Sequence, residues 1–313
     1  MSSPLSTLRA DWVDVQRCPA CGCRERACLG KLRGDAYRYH EIRIPFPNGG
    51  VSLWSCVECG LVYKTEILSV DSISLVCKQL QGRIWTSDYD YGDEKQKILS
   101  LMQKAEFDLL DVGVAGGGLL KTCSGYAGRR SGLDVSRDCA VDQHLRGEFI
   151  LGSLEDRDLD WSGVPYDVVT MFDVVEHFVA PDDAFSHLRQ FVKPGGWVIV
   201  ETGDVESSCP RRYGPENWWY ATRFPHVVFW SVRSLCRVAE AHGFQLMEVV
   251  RKRNKSISTI PWRSSVKSAV KAFTYSHYPR AYRWIITSRE GNTDPPRNPL
   301  SRDHIRMVLW NRG

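Results

Sequence analysis

The chain has 313 residues, of which 43% are hydrophobic and 25% are charged, and its formal net charge is +4. This length and composition are typical of a globular protein with one large α/β domain and a small appendage, or with two medium domains. No apolar run is long enough to span a bilayer, and residues 1–14 lack the basic start and apolar core of a signal peptide. We therefore expect a cytoplasmic protein.

Two Cys-x-x-Cys pairs lie near the N-terminus, Cys18 with Cys21 and Cys56 with Cys59. Each pair forms a turn that can aim two thiolates at one metal ion, and two such turns supply a tetrahedral site. A glycine follows each pair, as a sharply bent backbone requires. The pattern predicts a structural Zn²⁺ site with no open position. The alternative is four unrelated thiols; Cys23 can also replace one ligand.

Strands and helices alternate from residue 107 onward, which predicts a parallel sheet with both faces covered. The predicted strands span residues 107–112, 130–134, 149–151, 166–172, 197–202, 244–250 and 304–310. Helices are predicted within 67–105 (with a break at 87–93) and at 119–126, 181–192, 232–242 and around 264–273.

The glycine-rich run 111–118 leaves the first of these strands and enters a helix, and it contains Gly113, Gly116 and Gly117. Small residues let a ligand approach the backbone, and the helix start offers free N–H groups. The dinucleotide-binding pattern is not in register, because Ala115 stands where its second glycine belongs. A tight turn without a ligand is the other interpretation.

This run resembles motif I of the class I S-adenosylmethionine-dependent methyltransferases, Asp-x-Gly-x-Gly-x-Gly, with alanine replacing the middle glycine. Later features agree in order and spacing: Asp134 ends the second strand, residues 172–177 resemble the family's Glu-His signature, and 193–196 form its Lys-Pro-Gly-Gly turn. The resemblance implies a Rossmann-like seven-stranded sheet whose last strand is antiparallel. The cysteine pairs resemble the zinc-ribbon extension of a bacterial subgroup.

The resemblance also implies where S-adenosylmethionine binds. Asp134 stands where the family has a carboxylate that bonds to the ribose hydroxyls. Ser153 and Leu154 replace the acidic residue that the family often has near the adenine amine, and Asp156 is a second candidate. The expected cofactor-binding residues are Asp111, Gly113, Ala115, Gly116, Gly117, Asp134, Ser153, Leu154 and Phe172.

His226 and His177 are the expected catalytic residues. A hydroxyl acceptor benefits from a general base with a pKa near neutrality, for which histidine is the usual choice. His177 follows the fourth strand, at the carboxyl edge where open α/β sheets bind ligands. His226 lies in an aromatic segment and resembles a histidine of the subgroup. Alternatively, His177 only orients its loop and His226 only anchors its segment.

The basic residues are concentrated, because residues 249–289 contain ten of them and no Asp or Glu. This stretch is a solvated face, a binding site for the phosphates of a nucleotide-linked or lipid-linked acceptor, or a peripheral contact with a membrane or nucleic acid.

The predicted division of the chain is 1–66 (zinc-ribbon-like module), 67–105 (helical connector over the cofactor, with Tyr89 and Tyr91 as covering aromatics) and 106–313 (methyltransferase domain). The last of these has insertions at 205–230 (substrate lid) and 251–302 (basic cap).

The expected function is O-methylation of a small-molecule hydroxyl, such as that of a sugar or glycan precursor. A nucleic-acid acceptor is less favoured, since the Asn/Asp-Pro-Pro-Tyr motif of amino-group methyltransferases is absent and residues 172–175 read Phe-Asp-Val-Val. The alternatives are a sugar C-methyltransferase, a protein or nucleic-acid methyltransferase, a dehydrogenase, and a non-catalytic zinc-dependent binding protein on the same scaffold.

Overall fold

The computed structural model describes most of the chain. The described residues are 6–39, 42–80, 89–102, 106–137, 141–142, 144–159, 163–253, 270, 273–274 and 302–313. Most of the predicted helix at 264–273 and most of the predicted basic cap lie outside them; of that helix, residues 270 and 273 are described and are helical. Among the described residues, no helix has both the length and the apolar character needed to cross a membrane.

The N-terminal residues form three small sheets of short strands. In chain order these strands are β1 (Ser6–Thr7), β2 (Trp12–Asp14), β3 (Arg26–Lys31), β4 (Ala36–Tyr39), β5 (Ile42–Pro45), β6 (Ser52–Cys56), β7 (Val62–Lys64) and β8 (Glu66–Leu68). The sheet orders are β1-β5-β4, β2-β8 and, for the strands around the cysteine pairs, β3-β6-β7. Two helices follow, α1 (Val70–Leu80) and α2 (Gly92–Leu101). The predicted helical connector therefore contains two separate helices.

The main sheet has seven strands in the order β11-β10-β9-β12-β13-β16-β15. Every neighbouring pair is parallel except the pairs that involve β16, which runs antiparallel to both of its neighbours. The predicted fold class and antiparallel last strand are confirmed. The strands are β9 (Phe107–Val112), β10 (Ala127–Asp134), β11 (Phe149–Leu151), β12 (Tyr166–Phe172), β13 (Val192–Gly203), β15 (Phe244–Lys252) and β16 (His304–Asn311).

The strand order reverses between β9 and β12, because β10 lies on one side of β9 and β12 on the other. Connections leave the sheet in opposite directions at such a point, which opens a crevice at the carboxyl ends of the strands. The central strands are buried on both faces, with Leu110, Val169 and Val200 fully inaccessible. This burial explains their nearly continuous apolar sequences.

The helices of the second half are α3 (Gly118–Thr122), α4 (Pro181–Phe191), α5 (Ser208–Tyr213) and α6 (Val232–Ala241). The predicted helix 119–126 is wrong in its length, because the chain turns after Thr122 and β10 already begins at Ala127. Helix α6 starts with a capping box: Ser231 Oγ accepts the Ser234 N–H at 3.1 Å, and Ser234 Oγ accepts the Ser231 N–H at 2.9 Å. Such reciprocal bonds satisfy two donors that a helix start leaves without partners.

The predicted substrate lid is joined to the N-terminal sheets. Its strand β14 (Val228–Phe229) pairs antiparallel with β7, and Val228 lies opposite Tyr63. Trp218, Trp219 and Tyr220 pack in one apolar core with residues of the N-terminal strands. The segment is therefore a fixed wall between the N-terminal sheets and the carboxyl edge of the main sheet.

Buried ion pairs attach helix α2 to the main sheet. Glu94 is fully buried and accepts hydrogen bonds from Lys252 Nζ at 2.8 Å and from Arg306 Nη2 at 2.6 Å. Arg306 also donates to Glu201 at the end of β13. Removing one member of such a network leaves an uncompensated buried charge. The network fixes the start of α2, and thus Tyr91, beside the crevice.

Candidate functional site

The turn after β9 has left-handed backbone at alternate residues. The φ angles are +73° at Gly113, +45° at Ala115 and +77° at Gly117. A Cβ at Gly113 would lie 2.4 Å from Val174 Cγ2, so a side chain cannot fit there. Ala115 thus adopts a left-handed conformation that glycine tolerates best and that costs an L-residue about 1–2 kcal/mol. Alanine in place of the motif's middle glycine is therefore compatible with a left-handed turn.

Asp134 holds this turn from the end of the neighbouring strand β10. Its Oδ2 accepts the backbone N–H of Ala115 at 3.0 Å, and its Oδ1 accepts that of Ser136 at 3.0 Å. Burial raises the pKa of Asp134 above its usual range, against these hydrogen bonds. The carboxylate thus stands at the crevice beside the glycine turn, where the resemblance places the ribose contact.

Asp111 lies beneath the turn and is buried within the sheet. Its carboxylate accepts a hydrogen bond from Thr170 Oγ1 at 2.7 Å. Burial raises the pKa of Asp111 to about 7, and the negative charge of Asp134 adds to this shift. The side chain therefore joins β9 to β12 just before the turn.

Two aromatic rings lie beside the start of α3. Tyr91 and Phe172 stack with ring centroids 6.5 Å apart and an interplanar angle of 23°. A Cβ at Gly118 would lie 2.8 Å from Tyr91 Cε2, so this ring covers the beginning of the helix. Covering of the cofactor by Tyr91 stays a prediction.

The expected adenine contacts follow β11. Ser153 Oγ accepts the Glu155 N–H at 3.2 Å, and the Ser153 N–H donates to Asp156 at 2.7 Å. Leu154 is 1% exposed and packs in the core, while its carbonyl lies 2.7 Å from His187 Nδ1. Adenine binding by these residues stays a prediction, and the burial of Leu154 disfavours a contact through its side chain.

A second group of polar side chains gathers where β12 ends in a 3₁₀ turn, Val175–His177. Glu176 is fully buried and accepts hydrogen bonds from the Tyr220 hydroxyl and from Thr202 Oγ1, the latter at 2.8 Å. His226 Nε2 lies 3.9 Å from Glu176 Oε1, and the rings of His226 and His177 are 5.0 Å apart. The structure therefore brings the two predicted catalytic histidines together around a buried carboxyl group.

This environment disfavours charge on all three groups. Burial lowers the pKa of His177 to about 4 and holds that of His226 well below its usual value. Burial and the neighbouring Asp173 raise the pKa of Glu176. Both imidazoles are neutral at pH 7, but a pKa of about 4 makes His177 a weaker base than the near-neutral one we expected.

His304 completes this edge of the site, and sequence analysis missed it. Because β16 is antiparallel, its first residue lies opposite Gly203 at the carboxyl edge of the sheet. Burial opposes charge on His304, but Asp173, 3.5 Å away, and Asp303, 3.1 Å away, raise its pKa to about 10. Nothing in the local sequence identifies this histidine; the signal is the strand register.

The four cysteines of the two pairs also come together. Their sulfur atoms all lie within 4.8 Å of one another, and the Sγ separations Cys18–Cys59 and Cys21–Cys56 are both 3.5 Å. Two thiolates bound to one tetrahedral Zn²⁺ stand about 3.8 Å apart, whereas a disulfide is much shorter. The glycine after each pair has a positive φ, +69° and +76°. The gathering of these thiols was predicted, and it suits a soft divalent metal.

Comparisons with known proteins connect the site to a family. The model of the Methyltransferase domain family matches residues 86–249, a little over half of the chain. The ubiquinone biosynthesis O-methyltransferase of Burkholderia cenocepacia is 31% identical over 105 residues, which cover 30% of this chain and 43% of that protein. The protein of the same name from Thiobacillus denitrificans is 33% identical over 101 residues, with shares of 30% and 43%. The chain therefore spans less than half the length of these curated relatives.

Solved structures show similar chain paths at low identity. The [4+2]-cyclase SpnF aligns with a TM-score of 0.46 and 16% identity over 70% of this chain and 80% of that one. A putative methyltransferase from Bacillus halodurans C-125 aligns with a TM-score of 0.46 and 16% identity over 70% of this chain and 97% of that one.

Proposed function

This chain belongs to the Methyltransferase domain family, and we propose that it transfers a methyl group from S-adenosylmethionine to a hydroxyl of a small molecule. The observation that carries the proposal is the pairing of Asp134 with the left-handed turn at Ala115, directly at the point where the strand order reverses. A carboxylate there can accept from two vicinal ribose hydroxyls while the glycine turn lets the cofactor approach the backbone.

The cofactor lies between the turn 113–117 and the stacked rings of Tyr91 and Phe172. Gly113, Ala115, Gly116 and Gly117 line one side of it. Asp111 supports this turn from below, and Ser153 and Leu154 stand towards the adenine end. Ala115 is compatible with this arrangement, because the turn has left-handed backbone at Gly113, Ala115 and Gly117.

Methyl transfer itself is an in-line displacement. The acceptor O–H bond breaks, the oxygen bonds to the methyl carbon, and the C–S bond breaks with its electron pair left on sulfur. Because the sulfonium is already activated, catalysis consists mainly of positioning the acceptor and ionising its hydroxyl. We assign this ionisation to His226 and His177, whose neutral rings meet beside Glu176. The printed names of the relatives support an oxygen acceptor.

The acceptor class is a sugar or a glycan precursor. This class rests on the resemblance to the zinc-ribbon subgroup; Trp219 and Tyr220 shape the wall beside His226 as buried side chains. A phosphate-bearing or lipid-linked acceptor would be bound by the basic stretch 251–289, which also carries the proposed peripheral membrane contact. Almost all of this stretch lies outside the described residues.

We further propose that the cysteine cluster binds a structural Zn²⁺. Such a site requires reduced thiols, and so it accords with a cytoplasmic location.

The test is methyl transfer from labelled S-adenosylmethionine to a panel of sugars, nucleotide-linked sugars and planar diols. The wild-type protein should give an O-methylated product, and His226→Gln should lower kcat by about 100-fold or more. His242→Gln is the matched control. His242 follows the last residue of α6 and pairs with Asp182 of α4, outside the cluster. Transfer only to nitrogen or carbon acceptors would contradict the hydroxyl assignment, and equal rates for His226→Gln and wild type would contradict the role of His226.

A further inference from the structure

We propose that Glu176, His177 and His226 bind a second divalent metal ion of the zinc class, separate from the cysteine cluster. The site itself stands on geometry alone. Its catalytic role, which is to hold and ionise the acceptor hydroxyl, rests on the proposed function.

The three side chains converge on one point. Each offers one ligand atom, and these atoms all lie within 4.8 Å of one another, with Glu176 Oε1 and His226 Nε2 at 3.9 Å. Ligand atoms of a tetrahedral Zn²⁺ site with bonds of about 2.0–2.1 Å stand roughly 3.3 Å apart. Each side chain therefore has to move by less than about 1 Å to close on an ion.

The orientation of His226 is that of a metal ligand. Its Nδ1 lies 3.0 Å from the Tyr220 carbonyl oxygen, which can only accept, so Nδ1 carries the proton. The lone pair is then on Nε2, the nitrogen that faces Glu176. A backbone carbonyl that fixes the tautomer of a ligating histidine is the usual supporting contact of metal sites.

The carboxyl group of Glu176 is also held in place. Hydroxyl groups of Thr202 and Tyr220 donate hydrogen bonds to it. The ring of His177 lies beside that of His226, with centroids 5.0 Å apart. Glu176 and His226 are thus oriented in advance by neighbouring groups, as the first ligands of metal sites are.

Charge balance points to a cation. Glu176 is fully buried, and in the described part of the chain it has no Lys or Arg partner within 4 Å. Its hydrogen-bond donors are the two hydroxyls, and the ion-pair partners of His304 are Asp173 and Asp303. A divalent ion at this point would supply a positive charge to a buried carboxyl group.

Two imidazoles and one carboxylate suit zinc and leave a fourth position open, as in catalytic zinc sites. An acceptor hydroxyl bound in that position has a lowered pKa, so its proton passes to water and the oxygen is left as the nucleophile. The histidines then act on the acceptor through the ion. The ion's place, beside the end of β12, is at the same sheet edge as the proposed cofactor site.

The experiment is metal counting with Zn²⁺ alone and Co²⁺ alone as probes. Wild-type protein is expected to bind two equivalents per chain. Co²⁺ in the cysteine cluster gives intense thiolate charge-transfer absorption, whereas Co²⁺ at the Glu-His-His site gives only weak visible bands, so the two sites are read separately. His226→Ala and Glu176→Gln should each lose one equivalent, or bind it more than about 100-fold more weakly, and keep the charge-transfer absorption.

Glu176→Gln keeps the shape of the side chain and an acceptor for one of the two hydroxyls of Thr202 and Tyr220, while its amide N–H can donate to the other, so it guards against a trivial folding failure. His242→Ala is the matched control with two equivalents expected. One equivalent in the wild type, or two in both site variants, overturns the proposal. The count is independent of methyl transfer: a wild type with two equivalents and no transferable acceptor would refute the proposed function alone. Full transfer activity with only the cysteine cluster loaded would refute the catalytic role of the ion alone.

Discussion

The free energy of unfolding of Asp111→Asn, compared with that of wild type, should increase as the pH rises. Burial raises the pKa of Asp111 from its usual 3.8 to about 7, with a contribution from Asp134 and against the hydrogen bond from Thr170. The folded protein therefore holds this proton more tightly than the unfolded chain does, and stability falls as the pH rises from about 4 to 7. At 1.36 kcal/mol per pKa unit, the full effect is about 4 kcal/mol.

Of this full effect, about 3 kcal/mol falls between pH 5 and pH 8, so the stability difference between the two proteins should change by that amount. We would measure urea unfolding of wild type and Asp111→Asn at both pH values by tryptophan fluorescence, because the pH dependence of every other group cancels in the difference. Asp158→Asn is the control, since Asp158 is exposed in the same domain. A stability difference between Asp111→Asn and wild type that is the same at both pH values would refute the assignment of a shifted, buried carboxyl group beneath the turn.

Three further predictions test other parts of the structure. Ala115→Gly should change the free energy of unfolding by less than about 1 kcal/mol, and Ala115→Val should lower it by more than about 1 kcal/mol, because φ is +45° there; urea unfolding that ranks the two in the opposite order would contradict the left-handed turn. The pKa of His304 is raised to about 10, so its stabilisation is complete below about pH 6.5 and lost as the pH rises towards 10. His304→Gln should abolish that loss in thermal unfolding scans, and an unchanged pH profile would count against the ion pairs. Cys21→Ser, at the most exposed thiol of the cluster, should weaken the thiolate charge-transfer absorption of the Co²⁺-loaded protein, because three thiolates remain, and should lower its Tm; an unchanged spectrum and Tm would argue against a metal there.

The bounds of three parallel strands were predictable to the residue, whereas β10 begins at Ala127, before its predicted start at residue 130. The strands at Phe107–Val112, Phe149–Leu151 and Tyr166–Phe172 have the predicted bounds. Their apolar runs end abruptly in glycine or acidic residues, because the chain leaves the core there. The bounds of β13 differ, since it begins at Val192 and accommodates the predicted turn as a shift in its register with β12. A local pattern cannot show that the neighbouring strand continues past such a turn.

Site residues were predictable where they follow from local spacing. The four thiols come together as their two short pairs indicated. The place of His304 in the site was not predictable, because it depends on the antiparallel register of β16. The complete burial of Glu176 was not predictable either, because it depends on packing by Tyr220, from a segment more than 40 residues away. The same segment appeared in the sequence as an insertion, and only its pairing with β7 shows that it is a fixed wall.

The most direct test of the account is a calorimetric titration with S-adenosylhomocysteine of wild-type protein and of Asp134→Ala, with NAD as the competing ligand class. We predict binding in the micromolar range to the folded, zinc-loaded wild type, a loss of about tenfold or more in Asp134→Ala, and no binding of NAD. That result would place the cofactor at the turn held by Asp134. A folded wild type that does not bind S-adenosylhomocysteine, or that binds NAD instead, would contradict the claim that this crevice serves methyl transfer.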